Sequence, residues 1–160
     1  MIVFNFNVLA KPGALLGSRI PDPEGLLLWR SLHETQMGRL GIVVDGYDDS
    51  SKATLEAWLK INQVKAVMYE LFPFSDPTLK AEKIALIMGA SGGRGMYFDT
   101  DAPTTAEVLK AGITSVLVCP SYIVRPEWSV QKVMRDWESL TEEIDRQALL
   151  KSEKKWGDLE

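Results

Sequence analysis

Apolar residues in the first 120 positions fall into two alternating patterns. Short runs bounded by turn chemistry, MIVFNFNVLA (1–10, interrupted by two asparagines), LGIVVDG (40–46), VKAVMYELF (64–72), GMYFDTD (95–101) and ITSVLVCP (113–120), have the length and β-branched or aromatic content of buried strands. The stretches between them repeat at helical spacing. Leu28 and Leu32 lie four apart ahead of Gly38, which predicts a helix over 24–37. Asp48, Asp49, Ser50 and Ser51 offer N-caps to KATLEAWLKINQ, where Leu55, Trp58, Leu59 and Asn62 share a face and Lys52, Glu56 and Lys60 form a solvated one. A third helix is predicted over 77–90 with Leu79, Ile84, Ile87 and Met88 in the core. A fourth, over 103–112, is opened by proline and closed by glycine. Residues 11–25 carry three prolines and three glycines and read as loop.

The resulting order, β-α-β-α-β-α-β-α-β over residues 1–120, implies crossover connections. It predicts a three-layer, Rossmann-like α/β sandwich with a five-stranded parallel sheet. Ligands in such folds bind beyond the carboxyl ends of the strands, near the point where strand order reverses. The residues to inspect are therefore Asn5 and Asn7, Asp45, the 70–76 loop, and Asp99 to Asp101. Asn5 and Asn7 stand out because Asn is depleted in strands, and in an extended chain their side chains point the same way.

Beyond Pro120 the pattern changes. Pro126 stands near a helix start, and Val130, Val133, Trp137, Leu140 and Ile144 recur at spacings of 3, 4, 3 and 4, an amphipathic helix to about residue 150. The expected organisation is a 1–120 domain and a 121–160 helical extension that docks on it or on a partner. Val133, Trp137, Leu140 and Ile144 are the candidate contact positions.

Composition narrows the function classes. A net charge of −4 over 160 residues argues against a general nucleic-acid surface, which needs concentrated Lys and Arg. One cysteine, Cys119, permits no internal disulfide, and one histidine, His33, leaves no His/Cys cluster for zinc. No apolar run reaches the ~18–20 residues that span a bilayer, and no signal-peptide pattern opens the chain. A soluble cytoplasmic protein without membrane contact is expected. Minor signals have plain readings. GASGGRG (89–95) lacks a phosphate loop's Gly-Lys-Ser/Thr ending and reads as a helix exit. DGYDDSS (45–51) reads as a helix cap, His33 as structural, and Cys119 as a small buried apolar residue. YELFPF (69–74) reads equally as a pocket wall or an apolar contact surface.

The strand ends together resemble the haloacid dehalogenase-like phosphohydrolase superfamily, particularly the phosphatase domain of polynucleotide kinase-phosphatases. In that family strand one ends in Asp-x-Asp, strand two in Thr/Ser-Gly-Arg, a lysine opens a later helix, and strand four ends in Asp-Asp. Here TLEAWLKINQVKAVMYEL, LKAEKIALI and GMYFDTDAPTTAEVLKAGITSVLV resemble the segments around the later motifs. The resemblance puts Asn5 at the nucleophile position and Asn7 at the acid/base position. It puts Asp45 at the phosphate-binding Thr/Ser, with Gly46 retained and Tyr47 in place of Arg. Lys80, or Lys83 in another register, matches the lysine, and Asp99, with Asp101 one place late, the metal-binding pair.

Each departure disfavours phosphotransfer. A neutral amide is a very poor nucleophile and no general acid. Magnesium prefers charged oxygens, and a carboxylate at position 45 repels a phosphate. Changes in two separate motifs argue for natural divergence. The expectation is a catalytically degenerate member acting as a binding, scaffolding or assembly factor, of a kind that suits a phage or bacterial accessory protein. It needs no cofactor and has at most weak magnesium binding at Asp99 and Asp101. It works through a protein partner or through self-association by the C-terminal helix. The alternatives are a divergent magnesium-dependent phosphohydrolase or nucleotidase, and a non-catalytic nucleotide- or phosphate-binding module.

Overall fold

The computed structural model describes residues 1–90, 92, 94–120 and 141–149. The chain divides into two compact units, Met1–Pro120 and Ser121–Glu160, each described here by itself. In the first, β1 (Ile2–Asn5) turns into a single helical turn, α1 (Phe6–Leu9), and after a loop comes α2 (Pro23–Thr35). Then follow β2 (Leu40–Asp45), α3 (Lys52–Ile61), β3 (Met68–Phe72), α4 (Pro77–Ala90), β4 (Met96–Asp99), α5 (Ala102–Lys110) and β5 (Thr114–Leu117). The fold is α/β: a five-stranded, all-parallel sheet in the order β3-β2-β1-β4-β5, flanked by helices.

That order contains the reversal on which the site depends. The chain steps outward from β1 through β2 to β3, then returns to the far side of β1 for β4 and β5. Crossovers of constant hand must then place the first helices on one face and the later ones on the other. The two cores agree. Ile2, Phe4, Leu40, Ile42, Val44 and Phe98 pack with Trp29 of α2 and with Leu55, Trp58 and Leu59 of α3. Residues of opposite parity, Val3, Val43 and Tyr97, pack with Ala81, Ile84, Ile87 and Met88 of α4 and Val108 of α5. Stacking of Phe4 on Phe98 at 4.6 Å ties β1 to β4 on the first face.

Several predicted boundaries move, each for a local reason. The first strand stops at Asn5 because that residue caps α1, its Oδ1 accepting from the Asn7 amide. Strand three begins at Met68, not 64: Val64 is buried, and its amide donates to the Leu59 carbonyl as the chain leaves α3. On α4 the predicted core position Leu79 is 46% exposed whereas its neighbour Lys80 is 3% exposed. The buried stripe of α4 runs through residues 80, 81, 84, 87 and 88, which is one helical face, so the lysine takes an apolar position. Cys119 lies exposed past the end of β5 instead of buried.

In the second unit residues 141–149 are helical, and Arg146 pairs with Glu143 at 2.9 Å one turn away. Ile144 lies within this helix; Val133, Trp137 and Leu140 lie outside the described residues. Among the described residues no helix is long and apolar enough to cross a membrane.

α1 and α2 approach closely at Gly25. A Cβ added at Gly25 would lie 1.7 Å from the Val8 carbonyl oxygen, so nothing larger than glycine fits without moving backbone. Gly25→Ala is expected to lower the unfolding free energy in urea by about 3 kcal/mol, the upper range for overpacking; an unchanged midpoint contradicts this contact.

Candidate functional site

Parity and register assemble the site. Asn5, Asp45 and Asp99 each stand two residues beyond a residue of the α4/α5 core, namely Val3, Val43 and Tyr97, so all three face α4 and α5. They end three adjacent strands, β2, β1 and β4. The reversal of strand order lies between β1 and β4, where such folds place their ligands. Lys80 reaches the same place from the first turn of α4, and Asp101 from the N-cap of α5. Four of the residues singled out in the sequence, Asn5, Asp45, Lys80 and Asp99, thus meet at one end of the sheet, with Asp101 at the rim.

Their contacts form a connected circuit. The Asn5 amide nitrogen donates to Asp45 Oδ1 at 2.8 Å and to the Tyr97 hydroxyl at 3.3 Å. The Tyr97 hydroxyl donates to Asp99 Oδ2 at 2.6 Å, and the Asp101 amide donates to Asp99 Oδ1 at 3.0 Å. Lys80 Nζ lies 3.5 Å from Asp45 Oδ2 and 3.7 Å from Asp101 Oδ2. Asp101 Oδ2 also accepts from the Thr104 amide and hydroxyl, which caps α5. Asn5, Lys80, Asp99 and Thr104 are buried, whereas the side chains of Asp45 and Asp101 keep 15% and 37% of their exposure. The charged face toward solvent is therefore carboxylate.

Burial dominates the electrostatics at the centre. Removal from water pushes the Asp99 carboxyl up to about 7, against the pull of the Tyr97 hydroxyl, the Asp101 amide and the Lys80 ammonium. The Tyr97 phenol is pushed well above its ordinary value, first by burial and then by the neighbouring Asp99 charge.

Asn7 serves a different contact. Its Oδ1 accepts from Arg19 Nη2 at 2.8 Å. The same guanidinium donates to the Lys11 and Ala10 carbonyls and lies over the Phe6 ring. The Arg19 carbonyl in turn accepts from Trp58 Nε1 at 2.8 Å. Asn7 and Arg19 thus pin the proline-rich loop to α1 and α3. In a continuous extended strand the two asparagines would point the same way; the helical turn after Asn5 separates their roles.

Among the described residues no three His, Cys, Asp or Glu side chains are grouped to hold a metal. Both Asp99 oxygens accept protein hydrogen bonds, and the Lys80 ammonium already lies between Asp45 and Asp101. Elsewhere, Asp48 caps the turn before α3, and the Gly92 amide closes a turn on Gly89 at the exit of α4. His33 stands beside Trp29, and Phe72 stacks on Phe74 at 5.5 Å. Sequence reasoning missed Tyr97, Thr104 and Arg19. Tyr97 had a signal, because it shares strand parity with Asp99 two residues on.

Comparison of the chain with known protein families and with curated proteins finds no match.

The buried acid sets a pH dependence. Because the folded pKa of Asp99 lies above its unfolded value of 3.8, the folded state binds the extra proton between those limits. Its contribution to stability is fully present below about 4 and declines as pH rises to about 7, with a slope approaching about 1.4 kcal/mol per pH unit. Asp99→Asn removes that slope, so the difference in unfolding free energy between the two proteins should change across this window and level off above it. Carboxyl carbon NMR gives the midpoint directly, and an Asp99 titration near 4 contradicts the burial argument.

Proposed function

We propose that this chain is a catalytically degenerate relative of the haloacid dehalogenase-like phosphohydrolases, acting in the cytoplasm as a binding, scaffolding or assembly factor. The observation that carries the reading is the identity and engagement of the group at the end of β1. A phosphotransfer nucleophile needs a free carboxylate lone pair aimed at the ligand. Asn5 offers an amide whose nitrogen donates to Asp45 and Tyr97 and whose oxygen accepts from the Asn7 backbone. The acid/base position is likewise an amide, and its oxygen serves Arg19. The lysine that would steady a phosphate stands between two carboxylates. What supports the family reading is that Asn5, Asp45, Lys80 and Asp99 meet at one end of the sheet. What supports loss of turnover is that each is engaged inside the protein.

The partner surface in this reading is the amphipathic segment bearing Val133, Trp137, Leu140 and Ile144, and a phage or bacterial accessory role fits it. Light scattering of the full chain and of a chain ended at Arg125 tests self-association. A full-length oligomer that becomes monomeric on truncation is expected, and a monomer in both leaves only a heterologous partner.

The catalytic half is tested with a generic phosphomonoester and magnesium. The unmodified chain should show no turnover. The variant Asn5→Asp/Asn7→Asp/Asp45→Thr, which restores the family's groups at the three positions, should gain it. Turnover by the unmodified chain that disappears with Asp99→Ala overturns the proposal.

A further inference from the structure

We propose that Asn5 and Asp45 are a charge-matched pair, such that neither position tolerates the other's residue unless both change together. The argument is local and stands independently of the family reading. The two side chains end adjacent strands on the same face and meet at 2.8 Å between Asn5 Nδ2 and Asp45 Oδ1. Asn5 is 1% exposed, so its donor cannot turn to water. Its orientation is fixed at both ends: the oxygen accepts from the Asn7 amide as the cap of α1, which leaves the nitrogen to face Asp45 and Tyr97. Rotating the amide would lose all three bonds. A carboxylate at position 5 keeps the cap but sets one of its oxygens against Asp45 Oδ1, with no donor between them. Two carboxylates in that contact strongly disfavour each other's ionisation.

The charge balance adds a second constraint. Lys80 is buried, and Asp45 and Asp101 are the carboxylates within ion-pair reach of its ammonium. An amide at position 45 therefore weakens the neutralisation of a buried charge, which is costly when one partner is removed. Exchanging the two residues preserves the number of charges and the donor–acceptor contact, with the amide now at 45 and the carboxylate at 5. The bond to Tyr97 is lost, because that hydroxyl already gives its proton to Asp99, and the charge paired with Lys80 at position 45 moves to position 5.

The test is a double-mutant cycle on the full chain at neutral pH, by urea unfolding of the unmodified protein, Asn5→Asp, Asp45→Asn and the exchange. Each single change is expected to shift the unfolding equilibrium about tenfold or more toward unfolding. The exchange should be more stable than Asn5→Asp alone, with a non-additivity of at least about tenfold. If Asn5→Asp does not fold, recovery of a folded chain on adding Asp45→Asn supports the pair, and no recovery overturns it. Additive effects, or a single Asn5→Asp change without loss of stability, overturn it as well.

Discussion

A buried ammonium must be answered by carboxylates, and Lys80 is the charge around which the end of this sheet is arranged. Its side chain is 4% exposed, and Asp45 and Asp101 lie within 3.7 Å of it. Desolvating an ion costs several kcal/mol unless partners and hydrogen bonds compensate. The two carboxylates come from different elements, the end of β2 and the cap of α5, so the lysine joins α4 to both. Asp45 in turn requires a donor on its other oxygen, which the Asn5 amide supplies. That amide continues through Tyr97 to Asp99. A chain of polar contacts thus spans three strands and two helix starts.

Such a circuit holds acids and a lysine together at the end of the sheet where this class of fold binds ligands. A nucleophile, a metal site or a phosphate cradle needs groups with capacity left over for the ligand. Here the hydrogen bonds of the central groups are directed to one another, and burial pushes the Asp99 carboxyl up to about 7. Fully satisfied buried networks rigidify a structure and specify one arrangement of it. Fold alone does not settle activity.

The sheet and its helices were legible from the sequence because alternating apolar periods and crossovers leave few topologies. Strand ends followed from the same pattern, which is why Asn5, Asp45 and Asp99 were found before their contacts were known. Lys80 was found through the resemblance and not through periodicity: a buried lysine on an apolar stripe breaks the pattern that placed Leu79 in the core instead. The short turn α1 was also invisible, since FNVL has no helical period to detect and forms because Asn5 caps it. Arg19 and Tyr97 escaped for a related reason. Their roles arise from contacts across 12 and 92 residues of sequence, which local pattern does not encode.

The direct measurement of a closed strand-end cluster is a titration with manganese(II), observed through the backbone amide resonances of Asn5, Asp45 and Asp99. With the lysine ammonium already among the carboxylates, these resonances are expected to remain sharp at millimolar ion while exposed acidic surface sites such as Asp48 and Asp49 broaden weakly. Saturable broadening centred on Asn5, Asp45 and Asp99 at lower concentration would show an open cation site there and contradict the account.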